Sequence, residues 1–94
     1  MIVSFGSKDT ENIWLGNRVK KIPIEIQKVG RRKLRMLNNS QNISDLRIPP
    51  SNRLERLKGK SKEYYSIRIN DQWRIVFRWK NDRAHEVEIL DYHK

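Results

Sequence analysis

The sequence has no cysteine, and it has only two histidines, four glycines and three prolines among its 94 residues. Without cysteine the chain can form neither a disulfide nor a thiolate metal site, and the pair His85 and His93 is too small for an ordinary zinc site. It also lacks a glycine-rich phosphate loop and a nucleophile elbow. We therefore expect a protein that uses no metal and no cofactor.

Long apolar runs are missing as well. The first residues, Met1 to Phe5, lack the charged-then-apolar build of a signal peptide. There is no apolar run long enough to cross a bilayer, and no amphipathic basic terminus that would lie on one. We expect a cytoplasmic protein with no membrane partner. The length predicts one domain, residues 1–94, with a modest core.

Positive charge is what the chain has in excess. Lysine and arginine number 21 against 11 aspartates and glutamates, which gives a formal charge of +10. Such an excess on a short chain is typical of proteins that bind a polyanion, either a nucleic acid or an acidic protein.

Residues 62–79 show the clearest pattern in the sequence. Apolar and polar side chains alternate on both sides of Asn70-Asp71-Gln72, which predicts a β-hairpin with a tight turn. If Trp73, Ile75 and Phe77 point into the core, the intervening arginines point to the opposite face, where they suit a phosphate backbone. These arginines are Arg68, Arg74 and Arg78.

The remaining elements are weaker but consistent with this hairpin. A short strand is predicted at residues 2–5, followed by a helix that Ser7 caps and that reaches Leu15. A second helix begins at Pro23 and continues to Leu37, and a last strand occupies residues 86–93. This order predicts an α+β fold, a small and mostly antiparallel sheet with two N-terminal helices packed on one face.

A basic domain of this kind has the groups needed to cleave RNA, which carries its own nucleophile in the ribose 2′-hydroxyl. The protein would supply a base, an acid and positive charge for the phosphorane. Structural explanations stay open: Arg68 and Arg78 can pair across the sheet with Glu86 or Glu88, and Glu55 can pair with Lys58. Arg74 can be an ordinary solvated strand residue.

Three segments together resemble the HigB-type killer proteins, a branch of the RelE/ParE superfamily of bacterial toxin–antitoxin toxins. They are residues 54–59, residues 65–75 and the closing Asp91-Tyr92-His93, and the likeness extends over nearly the whole chain. The resemblance implies a RelE-like fold and a ribosome-dependent endonuclease that inhibits translation by cutting mRNA on the ribosome. It also implies a neutralising helix-turn-helix antitoxin of the HigA type.

Carried over by position, Lys58 and Arg74 match basic residues that act on the scissile phosphate. Asp91, Tyr92 and His93 match a C-terminal group associated with activity. Some relatives have histidine where this chain has Glu55, so proton transfer falls to Glu55 or His93. We expect further cations around this group to bind the RNA backbone: Arg53, Arg56, Lys60, Arg68 and Arg78.

Two rival functions fit the same fold class. A ParE-like toxin would act on DNA gyrase without any nuclease activity, and a non-catalytic module would only bind RNA or the ribosome. Fold alone does not separate them. The combination of Arg74 with the terminal Asp91-Tyr92-His93 favours the nuclease.

Overall fold

The computed structural model describes residues 1–59 and 63–92, which form two α-helices and a four-stranded antiparallel sheet in the order β1-β2-β3-β4. The predicted α+β class, with both helices before the sheet, is confirmed. Two short 3-10 turns, Ile43–Arg47 and Pro50–Asn52, join the helices to the sheet. The other elements are α1 Lys8–Trp14, α2 Ile24–Asn39, β1 Glu55–Arg56, β2 Tyr64–Arg68, β3 Trp73–Lys80 and β4 Arg83–Asp91.

The predicted hairpin is confirmed as β2 and β3. Its core-facing pairs include Ile67 opposite Ile75, and both side chains are fully buried. The turn is closed by Asn70, whose Oδ1 accepts the backbone N–H groups of Gln72 and Trp73 at 2.9 and 2.8 Å. An asparagine side chain that bonds the backbone two residues ahead mimics a backbone turn, so the local sequence was sufficient to predict the turn of the hairpin.

Both helices cover one face of the sheet. Phe77 of β3 is fully buried, as are Leu34 and Leu37 of α2, and all three belong to one hydrophobic cluster. The helix can lie close to the strands because residue 30 is glycine. A Cβ atom there would stand 3.0 Å from Cδ1 of Ile89. This close contact offsets the helix-propensity cost of glycine, about 1 kcal/mol.

The N-terminal segment differs from the prediction, because it forms two isolated parallel bridges to β4 and no regular strand. Val3 N–H donates to the Ala84 carbonyl and Gly6 N–H to the Val87 carbonyl, both at 2.8 Å. Between them the ladder is interrupted, since Glu86 has a φ of 53° and donates its N–H to the Ser4 hydroxyl. Such a bulge adds one unpaired residue to β4.

The sheet also has elements that the sequence did not predict. β1 is two residues long and both are exposed, so it carries no alternation to detect. β4 begins at Arg83, earlier than expected, because Asn81 and Asp82 both adopt a left-handed φ and turn the chain tightly. In the described part of the chain neither helix is long and apolar enough to span a membrane.

Lys33 lies on the buried side of α2, with 4% of its surface exposed. Its Nζ donates to Oδ1 of the fully buried Asn52 at 2.5 Å. Within residues 1–59 and 63–92 no carboxylate lies within ion-pair distance of this ammonium. Burial lowers the pKa of Lys33, and the nearby charges of Arg32 and Arg68 lower it further.

Because of this buried ammonium, the stability of the protein should vary with pH in the alkaline range. The pKa of Lys33 is lower in the folded protein than in the unfolded chain, so on raising the pH the folded state loses its proton first. The unfolded state then binds more protons, and the free energy of unfolding rises with pH. Urea unfolding of the wild type and of Lys33→Met at several pH values tests this. The wild type should gain stability relative to the variant as the pH rises, and a constant difference would contradict the prediction.

Candidate active site

Arg74 is held in place on the face of the sheet opposite the helices. Its Nε donates to the hydroxyl of Ser66 at 2.8 Å, and its Nη2 donates to the carbonyl of Arg53 at 2.7 Å. Nη2 also lies 3.7 Å from Oε1 of Glu55. The Arg74 side chain is only 13% exposed, whereas the Glu55 side chain is 60% exposed. We name Arg53, Glu55, Ser66 and Arg74 the Arg74 cluster.

Strand register explains why these residues meet. Glu55 pairs with Ser66, and Ser66 pairs with Val76, so these three side chains share one face of the sheet with Arg74. Ser66 is small, so the Arg74 side chain can cross β2 towards β1. Arg53, which precedes β1, has a left-handed φ of 44°, and its N–H donates to the carbonyl of Pro50.

A buried amide lies directly behind the cluster. Nδ2 of Asn52 donates to the carbonyl of Leu46 at 3.1 Å, while its Oδ1 accepts from Lys33. These bonds fix the backbone at Asn52. The carbonyl of the next residue, Arg53, accepts the hydrogen bond from Arg74. The supporting roles of Asn52, Lys33 and Ser66 were not predicted from the sequence. The available signals were a serine between apolar strand residues and an asparagine after two prolines.

Asp91 and Tyr92 lie on the other side of β3 from this cluster. Leu90 pairs with Arg74, and Asp91 pairs with Trp73, so Asp91 belongs to the helix-covered face. Asp91 accepts from Nε2 of Gln72 at 3.1 Å, and the N–H of the exposed Tyr92 donates to the Gln72 carbonyl at 2.6 Å. The guanidinium of Arg74 extends towards β1, away from this end of β4. Two candidates, Lys60 and His93, lie outside the described residues.

Lys58 is exposed in the turn after β1, followed by Gly59 with a φ of 81°. Among the described residues no hydrogen bond or ion pair joins Lys58 to Glu55, so the local pair that the sequence left open is not formed. Glu55 lies beside Arg74.

Comparison with known proteins identifies the family. A family model described as the RelE-like toxin of the type II toxin–antitoxin system HigB matches residues 4–93. The chain is 41% identical to Toxin HigB-1 of Vibrio cholerae over 95 aligned positions, which cover 100% of this chain and 99% of that protein. It is also 44% identical to an uncharacterized protein of Haemophilus influenzae over 78 residues, 83% of this chain and 76% of that one. The chain belongs to the HigB-like toxins.

The resemblance found in the sequence motifs is thus confirmed, and membership of a type II system implies an antitoxin partner. For a HigB-like toxin the Arg74 cluster offers two useful groups. Arginine presents a planar fork of N–H donors, so donors remain for a phosphate after the bonds to Ser66 and Arg53. The exposed carboxylate of Glu55 beside it can accept a proton. In the described part of this HigB-like toxin no three histidine, aspartate or glutamate side chains could jointly hold a metal ion.

The other candidate cations of this HigB-like toxin fall into two groups. Arg68 forms an ion pair with Asp71, and Nε of Arg78 lies 3.9 Å from Glu63 and 3.8 Å from Glu86. Of the cross-strand ion pairs that the sequence left open, the one between Arg78 and Glu86 is formed. Arg68 instead pairs with Asp71, three residues further along the chain. Arg53 precedes β1 and Arg56 belongs to it, and both residues are exposed.

Tyr64 pairs with Arg78 on the face of the sheet opposite the helices, and it also contacts Glu86. Its hydroxyl donates to Oε1 of Glu86 at 3.2 Å. Burial raises the pKa of Tyr64, and the charge of Glu86 and this hydrogen bond raise it further. The phenol is therefore held in its neutral form.

Proposed function

We propose that this HigB-like toxin is an endoribonuclease that inhibits translation by cleaving mRNA on the ribosome. The observation that carries the proposal is the fixed guanidinium of Arg74, with two hydrogen bonds to the protein and a carboxylate at 3.7 Å. A group that is already oriented can stabilise charge that develops on a phosphate without reorganising first. Because RNA supplies its own nucleophile, the reaction needs no metal.

The proposed reaction is an attack of the ribose 2′-oxygen on the adjacent phosphorus. A base takes the 2′-hydroxyl proton, the phosphorane forms, the bond from phosphorus to the 5′-oxygen breaks, and an acid protonates that oxygen. The products carry a 2′,3′-cyclic phosphate and a 5′-hydroxyl. Arg74 and Lys58 would stabilise the phosphorane, and Glu55 and His93 would share the proton transfers, with an imidazole suited to either role.

The remaining candidates have supporting roles in this proposal. Tyr92 would stack on a base or orient His93, and Asp91 would fix the imidazole of that histidine. The cations Arg53, Arg56, Lys60, Arg68 and Arg78 would hold the RNA backbone, with Arg68 and Arg78 exchanging their carboxylate partners for phosphates. We further propose that the toxin acts in the cytoplasm and that its antitoxin is a helix-turn-helix protein of the HigA type.

A reconstituted translation system tests the reaction directly. Purified toxin is added to a short message, and the same message is made with a single 2′-deoxynucleotide at the mapped cleavage position. We expect cleavage only when ribosomes are present, loss of cleavage at the deoxy position, and a 2′,3′-cyclic phosphate on the upstream fragment. Intact messages together with DNA-damage signalling in cells that express the toxin would contradict the proposal and favour action on gyrase.

A further inference from the structure

Most of the positive charge of the chain lies away from the Arg74 cluster. Residues 16–35 contain eight lysines and arginines and a single acidic residue, Glu25, a net charge of +7 out of the total of +10. This segment comprises the loop that leads from α1 to α2 and the part of α2 up to Arg35, in the helical layer of the fold. The cleavage proposal makes no use of this charge.

The same segment borders a groove. Two adjoining cavities of about 210 and 610 Å³ share Arg18, Ile24 and Gln27 among their lining residues, so they form one continuous depression. We name it the α1–α2 groove. Its apolar wall includes Ile13, Val19 and Ile22, and the cations Arg18, Lys20, Lys28 and Arg31 line it, without a carboxylate among the lining residues that the structure describes.

Side chains of the fold hold the groove open. The buried amide of Gln27 accepts the N–H of Val19 at 3.1 Å and donates to the carbonyls of Val19 and Ile22 at 2.8 and 2.6 Å. On the other side Nε of Arg31 donates to the Trp14 carbonyl at 3.4 Å. The loop is thus tied to α2, and the groove exists before any partner binds, which reduces the entropic cost of binding.

Two large apolar side chains are exposed at or beside the groove: Ile24 lines it, and Leu15 precedes Gly16, which lines it. Leu15, at the end of α1, is 62% exposed, and Ile24, which lines the groove as the first residue of α2, is 41% exposed. This surface thus combines exposed aliphatic groups with surrounding cations. Such a combination is the pattern expected of a surface that binds an amphipathic acidic segment.

We propose that the α1–α2 groove binds an acidic, amphipathic helix of the antitoxin. Apolar residues of that helix would cover Leu15 and Ile24, and its carboxylates would face Arg18, Lys28 and Arg31. RNA fits this surface less well, because aliphatic side chains add little to phosphate binding. Single-stranded RNA is usually held by stacking on aromatic rings, and no aromatic side chain is among the described lining residues. The inference rests on the antitoxin partnership and is independent of the cleavage chemistry.

The first arm of the test changes charge. Arg18→Glu/Lys28→Glu is compared with Lys80→Glu/Arg83→Glu, which reverses two exposed cations at the far β3–β4 turn. Each toxin is titrated with the purified cognate antitoxin at two salt concentrations. We expect the groove variant to bind about 100-fold more weakly, with a smaller salt dependence, because charge complementarity across the interface is reversed. The control variant should bind like the wild type.

The second arm changes apolar surface. Leu15→Ser/Ile24→Ser is compared with Val3→Ser, another exposed aliphatic residue in a different place. Loss of two buried aliphatic contacts should weaken antitoxin binding about 10-fold or more without changing its salt dependence. All four variants should keep the wild-type rate of message cleavage, since the groove and the Arg74 cluster lie in different layers.

Each outcome has a definite meaning. Wild-type antitoxin binding by both groove variants would overturn the proposal. Loss of ribosome binding by Arg18→Glu/Lys28→Glu with unchanged antitoxin binding would overturn it too, and would assign the groove to RNA. If the wild-type toxin cleaves no message but the groove variants still lose the antitoxin, the cleavage proposal fails and the groove proposal stands.

Discussion

Replacing Arg74 by alanine should lower the rate of ribosome-dependent message cleavage by about 10²- to 10³-fold, the typical effect of removing one fixed donor from a developing anionic centre. The effect should be this large because Arg74 is mostly shielded from water and is oriented by Ser66 and Arg53. Growth arrest in cells that express the variant should disappear in parallel. The rate is measured by following full-length message in the reconstituted system.

Two further variants separate charge from geometry. Arg74→Lys keeps the charge but loses the planar fork, so it should recover only part of the activity. Lys80→Ala, which removes an exposed cation from the same strand, should cleave like the wild type. Full activity in Arg74→Ala would remove this residue from the mechanism, and an equal loss in Lys80→Ala would show that net charge alone matters.

Replacing Asn52 by leucine should have the largest effect on stability, a loss of about 3–5 kcal/mol in the free energy of unfolding. The substitution removes the described hydrogen-bond acceptor of the buried Lys33 ammonium and the donor to the Leu46 carbonyl. A buried charge without a partner is far more costly than a surface substitution. Urea unfolding at neutral pH, followed by circular dichroism, measures the difference.

A double-mutant comparison shows whether the buried charge is the cause. Lys33→Met combined with Asn52→Leu should be more stable than Asn52→Leu alone, because no ammonium is left in the interior. Asn39→Leu, at the exposed end of α2, should stay within about 0.5 kcal/mol of the wild type. If the double variant is no more stable than the single one, the cost arises from the lost backbone bonds and not from Lys33.

Local patterns were enough to predict the central elements of this fold. The hairpin follows from alternation together with the turn at Asn70, and α2 follows from its helical spacing of apolar residues. Each of these features depends on residues that are neighbours in the sequence.

Features that depend on contacts between distant segments were missed. β1 exists because Glu55 and Arg56 pair with β2, and nothing within those two residues favours a strand. The bulge at Glu86 depends on Ser4, which lies at the other end of the chain. Strand parity and family motifs pointed to Arg74, but neither could show that a backbone carbonyl of Arg53 would hold it.

The two outer strands of the sheet resist self-association in different ways. The N-terminal segment covers β4, and β1 ends the other side with only two residues, one acidic and one basic. Aggregation by strand addition needs a longer run of free backbone groups than β1 offers. Concentrated solutions of the toxin should therefore stay free of β-ordered polymers, and the described residues offer a partner little free strand edge to extend, so we expect its recognition to depend mainly on side chains.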